Sequence, residues 1–207
     1  MFGLQKTRVR TTQFMSAALA WRLPDRHYAP VAWCLIAGAI SFVANLSGDP
    51  VWPAKALAGL YLLALLAAVC AIDGRYGIIP NSLVLALAIG GVIQTLIPER
   101  SDLLWRAFEA GSFFLVACLF RSTYQYLRGV QGLGFGDVKF ATAGVFWIGI
   151  ESVPGMLLIA VASALASLVI LRVDGQSISG KHVIAFGPHL AIGLWFSWIL
   201  GSSRISF

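Results

Sequence analysis

The pattern that dominates this chain is a series of long apolar runs separated by short polar breaks, at approximately 31–48, 56–72, 82–97, 107–120, 138–150, 155–171 and 187–201. A helix crossing a hydrocarbon core of roughly 30 Å needs about 20 residues, so these runs read as six to seven transmembrane helices once their ends are extended by about a turn. None shows the apolar/polar alternation of a membrane barrel strand, and lipid offers no partner to unpaired backbone groups. The expected fold is all-α, a polytopic membrane helical bundle.

Composition agrees with that pattern. Hydrophobic residues make up 58% of the chain and charged residues 12%, with a mean hydropathy of +0.81, which excludes a soluble globular domain. No Ser/Gly/Pro linker, low-complexity tract or internal repeat interrupts the runs, and one domain is the economical reading. The first 30 residues carry basic side chains and a short apolar patch, 14–21, that is soon followed by Arg22, Asp25 and Arg26. This reads as a cytoplasmic segment rather than a signal peptide.

Charge sets the orientation, because cationic loops near helix ends stay on the cytoplasmic side. With the N-terminus inside, eleven of the fifteen Lys and Arg fall on that side, among them Arg75, Arg121, Arg128, Lys139 and Arg172. The other four are Lys55, Arg100, Arg106 and Arg204. Trp52 and Trp105 fall in the outer connections and Trp33 opens the first run, as interfacial rings do, although seven tryptophans would scatter this way in any case. A net charge of +6 and a pI near 9.6 could suggest nucleic acid, but the cations are dispersed over short loops. Membrane lipid, with its anionic headgroups, is the expected partner, and no nucleic acid is.

The inner connections, roughly 121–137 and 172–186, are longer and richer in Gly and polar residues than the outer ones at Ser47–Pro50 and Pro98–Asp102. Function tends to sit on such loops. Cys34, Cys70 and Cys118 stand singly in apolar runs with no His at ligand spacing, so they read as small buried hydrophobes, with no metal site and no cofactor implied.

Two aspartates stand out on the inner side. Asp73 closes the apolar run 62–72 and precedes a turn, with Pro80 favouring entry into the next helix and Asn81 or Ser82 available to cap it. Asp137 follows Gly132, Gly134 and Gly136, which permit backbone shapes and close approaches closed to other residues. A carboxylate near lipid is costly, so it either faces a protein interior or wet cavity, or is merely interfacial. Two of them in equivalent settings favour the first reading. Closely placed carboxyls share a proton, and the ionised one can deprotonate a water while its partner polarises a peptide carbonyl.

Three segments carry a resemblance to a known family. They are Asp73-Gly-Arg-Tyr-Gly-Ile-Ile-Pro80-Asn81, Gly134-Phe-Gly136-Asp137-Val-Lys139 and Ala185-Phe-Gly187-Pro188-His189. Together they resemble the type IV prepilin peptidase family of GxGD aspartic peptidases over roughly 56–201. The resemblance implies Asp73 and Asp137 as the catalytic pair, with Pro80, Asn81, Gly134, Gly136, Lys139, Gly187 and Pro188 binding substrate or supporting the motifs. It implies a prepilin or pseudopilin substrate, cleaved at the cytoplasmic face of the bacterial inner membrane where its basic leader meets its apolar helix. The chain lacks the cysteine-pair zinc site of the bifunctional members and looks like the short, peptidase-only branch, including those serving tight-adherence (Flp-type) pili. Residues 56–207 would then be the peptidase core, and 1–55 a basic segment plus one extra transmembrane helix.

Two positions depart from the family pattern. Ala185 stands where Pro is usual, and His189 where an apolar residue is common; a structural role for His189 is preferred over ligand or catalytic base. Lys139 and Arg75, each two residues beyond an aspartate, either tune the neighbouring carboxyl or simply anchor the inner side. A transporter would also use buried aspartates, but it predicts inverted repeats that the chain does not show. A non-catalytic pilus or secretion assembly subunit leaves two acidic residues in permissive turns unexplained.

Overall fold

A computed structural model of the protein describes residues 36, 39, 40, 52–96, 103–129, 132–173 and 185–202. The basic segment 1–30, most of the run 31–48 and the outer loop 98–102 lie outside the described residues. Six α-helices follow one another: α1 Trp52–Tyr76, α2 Asn81–Leu96, α3 Leu103–Arg128, α4 Phe135–Ile148, α5 Val153–Val173 and α6 Gly187–Ser202. A short 3-10 turn, Ile150–Ser152, precedes α5, and no strand occurs among the described residues. Residues 36, 39 and 40 are helical, and Ala39 packs against the core.

Three stretches, Ala54–Tyr76, Leu103–Arg128 and Ile150–Ile170, are long and apolar enough to cross a membrane, and Asn81–Leu96 is a shorter apolar helix. The protein is a polytopic helical membrane protein, as the hydropathy pattern predicts. The inner loop expected over 121–137 is a correction, since α3 continues to Arg128 and only residues 129–134 connect it to α4. Asp73 lies in the last turn of α1, at the end of the apolar run that it closes.

Local chemistry sets these boundaries. Gly77 takes φ +63 and donates its N–H to Asp73 O at 2.7 Å, the left-handed stop that glycine accepts without strain. Pro80 O accepts the N–H groups of Leu83 and Val84 at 3.1 and 3.3 Å, opening α2. Phe186 O does the same for His189 and Leu190, opening α6.

The α4 helix sits centrally, packed against α2, α3 and α6, while α1 packs on α2 and α6 and α5 packs on α6. Lipid tails are as apolar as leucine, so close packing and interhelical hydrogen bonds hold such a bundle, at about 0.6 kcal/mol per bond on average. Trp147 Nε1 donates to Leu87 O at 2.8 Å, Thr95 Oγ1 to Phe146 O at 3.2 Å and Trp198 Nε1 to Gln94 Oε1 at 3.1 Å. Glycines let α2 and α4 approach, since a Cβ on Gly91 would sit 2.6 Å from Phe146 Cβ. Leu104, Phe108, Leu115 and Leu119 form an exposed apolar stripe along α3, the surface expected against lipid.

The helices alternate in direction, so the end of α1, the start of α2, the end of α3 and the starts of α4 and α6 gather at one end of the bundle. At the opposite end, buried Glu109 is paired with Arg106 Nη1 at 2.9 Å. Its Oε2 also accepts the Ile150 N–H at 3.4 Å, which accommodates a charge inside a membrane helix.

Candidate active site

The last turn of α1 carries Asp73 into the bundle, where it is 5% exposed. Its Oδ2 accepts the N–H of Gly187 at 2.8 Å. Gly187 is the first residue of α6, whose opening N–H groups have no intrahelical partner, so the carboxylate satisfies one of them from a different helix. A Cβ on Gly187 would meet Asp73 Oδ2 at 2.6 Å and Cγ at 2.8 Å, so this position has no room for a side chain. Pro188 follows, fully buried, in the first turn, where its missing N–H removes no helical bond.

The α4 helix begins with Gly134 as N-cap, and Asp137 lies in its first turn. The Gly134 N–H dipole acts on the Asp137 carboxyl and favours its charged form. A Cβ on Gly134 would lie 2.7 Å from Asp137 Oδ2, so the glycine lets the carboxylate fold back over the helix start. Gly132, Gly134 and Gly136 all keep negative φ. Close approach rather than unusual backbone therefore accounts for Gly134, and a Cβ on Gly136 would make only ordinary contact with Ile79 at 3.4 Å.

The two carboxyls lie at the same end of the bundle, near enough for the Asp73 charge to act on Asp137, although 64 positions separate them. Asp137 precedes the apolar run 138–150 and lies outside the three long spans. Burial, with the charge on Asp73 adding to it, pushes the Asp137 carboxyl up to about 6, against an opposing pull from the Gly134 N–H. Asp73 is held by the backbone N–H at the start of α6, and Asp137 lies against Gly134 at the start of α4.

The remaining motif residues support the site from its rim. Asn81, the first residue of α2, accepts a hydrogen bond on Oδ1 from Lys139 Nζ at 3.0 Å, joining the first motif to the second. This assigns Lys139 a partner other than Asp137. It also gives Asn81 a tie to another helix, where a capping role had been expected. Lys139 Nζ also lies 4.6 Å from the centroid of the Phe135 ring, and Arg121 Cζ lies 5.5 Å from the same ring. Arg121 Nε donates to Leu133 O at 3.0 Å. Arg75 is exposed in the last turn of α1, its Cζ 5.8 Å from the centroid of the Tyr76 ring. His189 is buried, with Nδ1 3.0 Å from Ser163 Oγ, and joins α6 to α5 as a structural role requires.

The family model of the type IV leader peptidases matches residues 60–171, more than half of the chain. The chain is 33% identical over 138 residues to the prepilin leader peptidase/N-methyltransferase of Burkholderia pseudomallei, covering 67% of this chain and 44% of that protein. It is 32% identical over 168 residues to the protein of the same name from Pectobacterium carotovorum, covering 80% and 60% respectively. It is 30% identical over 156 residues to that of Neisseria gonorrhoeae, covering 73% and 51%. The matches span about half the length of these curated relatives. No solved structure matches. By its sequence match, the chain belongs to the type IV leader peptidase family.

Proposed function

We propose that this protein is a membrane aspartic endopeptidase that removes the basic leader of prepilins or pseudopilins at the cytoplasmic face of the bacterial inner membrane. In this reading Asp73 and Asp137 activate one water, and residues 56–207 form the peptidase core. The observation that carries it is the placing of both carboxyls at one end of the bundle, near enough for the charge of one to act on the other.

Such a pair shares a proton near neutral pH, because two adjacent carboxyls do not both ionise easily. The ionised member takes a proton from water as the water oxygen attacks the scissile carbonyl carbon. The protonated member donates to the carbonyl oxygen. Collapse of the tetrahedral intermediate breaks the C–N bond, and the proton taken from water passes to the leaving amine. The Gly187 N–H keeps the Asp73 carboxyl oriented during these transfers.

Orientation is supported by charge. Among the described residues, the aspartate end carries Arg75, Arg121, Arg128, Lys139 and Arg172, against Lys55 and Arg106 at the other. The substrate class is supported by the name these relatives share, prepilin leader peptidase/N-methyltransferase.

The direct test is leader removal from a co-expressed prepilin of the source organism, followed by gel mobility. Asp73→Asn and Asp137→Asn each abolish processing while the protein still inserts in the membrane. Parental processing by either variant sinks the assignment.

A further inference from the structure

We propose that His189, through its hydrogen bond to Ser163, is a positioning residue that fixes the start of α6 and so aims the Gly187 N–H at Asp73. The inference rests on the peptidase reading above. His189 stands where the family pattern is apolar, so this tie belongs to the chain itself rather than to the motif.

The first turn of α6 is held from two sides. From α1, Asp73 Oδ2 accepts the Gly187 N–H at 2.8 Å. From α5, Ser163 Oγ meets His189 Nδ1 at 3.0 Å. Gly187 and His189 are two positions apart, a spacing that faces different sides of a helix, and α6 packs against both α1 and α5. Within the turn, Phe186 O accepts the N–H groups of His189 and Leu190 at 3.1 and 3.0 Å, so this stretch of backbone moves as one piece. A displacement of the imidazole is therefore carried to the Gly187 N–H, and from there to the carboxylate it holds.

The His189–Ser163 pair is built for holding rather than for proton transfer. His189 is 3% exposed, and the Phe186 ring lies 6.4 Å from its own. Ser163 Oγ also donates to Ala160 O of α5 at 2.9 Å. A hydroxyl has a single proton, and with that proton given to Ala160 O the oxygen accepts from Nδ1–H, which fixes one neutral tautomer of the ring. Four positions further along the same face of α6, a Cβ on Gly193 would strike Met156 O of α5. The α5 helix thus grips α6 along one line, backbone against backbone at Gly193 and side chain to side chain at His189.

The far end of α6 supplies a control. Trp198 Nε1 donates to Gln94 Oε1 of α2 at 3.1 Å. This bond also ties α6 to a neighbour, but it lies 11 residues from Gly187, about 16 Å along the helix axis. A bond that only stabilises the bundle would be equivalent at either end. A bond that aims Gly187 acts only at the start.

The test uses the full chain in detergent or proteoliposomes, with a purified prepilin as substrate and melting temperature read beside kcat and KM. His189→Leu and Ser163→Ala each lower kcat about tenfold with little change in KM, because a small misplacement of a carboxyl slows the chemical step. The double variant is no worse than the worse single one, since both remove the same bond. His189→Asn, whose amide offers a donor and an acceptor near the Nδ1 position, brings kcat back to within about threefold of the parent. Trp198→Phe keeps parental kcat although its melting temperature falls as far. Parental kcat in Ser163→Ala overturns the inference, as does an equal loss of kcat in Trp198→Phe or an Asn variant no better than Leu. If His189→Leu does not fold, Ser163→Ala, which removes one oxygen atom, carries the comparison with Trp198→Phe. Parental cleavage by Asp73→Asn instead overturns the peptidase reading, whatever His189 does.

Discussion

The Gly187 N–H meets Asp73 Oδ2 at 2.8 Å across 114 positions of sequence. This bond makes the start of α6 part of the site, although α6 brings no acidic side chain to it. The Asp73 carboxylate fills a helix N-terminus, and in return that helix fixes where the carboxylate points.

Gly187→Ala tests this dependence. The added methyl would stand 2.6 Å from Asp73 Oδ2 and 3.0 Å from its Cβ, so the carboxylate or the start of α6 must shift. Overpacking of this kind costs about 1–3 kcal/mol. Prepilin cleavage is expected to fall by about a hundredfold, more than the modest drop in thermal stability explains.

The raised Asp137 carboxyl gives a signed pH prediction. It titrates near 3.8 when unperturbed and near 6 in the fold, so between these values the folded state holds more protons than the unfolded one. Stability therefore falls as pH rises through this window, and the loss is complete above about 6. Asp137→Asn removes that penalty. Its melting temperature is expected to exceed the parent's by about 3 °C at pH 7.5 and to match it near pH 4, as read by differential scanning fluorimetry in detergent.

Lys139 and Asn81 form one link between α4 and α2, at 3.0 Å. Lys139→Met and Asn81→Ala are expected each to reduce cleavage by about threefold, with the double variant no worse than either single one. Additive losses in this cycle would show that the two side chains act separately.

Trp147→Phe removes the Nε1 bond to Leu87 O while leaving most of the ring volume. The expected result is a loss of about 0.6–1.5 kcal/mol in unfolding stability, with the pH profile of cleavage unchanged. A shifted profile would mean that the α2–α4 contact reaches the aspartates.

The helices were legible because each apolar run is long, and the disagreements have specific causes. Hydropathy ended the fourth run at 107–120 because Arg106 and Arg121 flank it. In the fold Arg106 neutralises Glu109, and Arg121 is tied to Leu133, so α3 runs from Leu103 to Arg128. Lys139, two residues from Asp137, reads from sequence either as a tuner of that carboxyl or as an inner-side anchor. Residues at that spacing point to different sides of a helix, so Lys139 reaches Asn81 instead. The Asp73–Gly187 and Arg121–Leu133 bonds were not legible, because nothing in local sequence says which helix starts will meet which side chains.

The central helix α4 has a further consequence. Its 14 residues rise only about 21 Å, against a hydrocarbon layer of roughly 30 Å. Enclosed by α2, α3 and α6, it has no need to reach both headgroup layers. In a bilayer of ordinary thickness such a helix stops short of at least one headgroup layer, and the helices around it, not its own length, keep its ends from lipid.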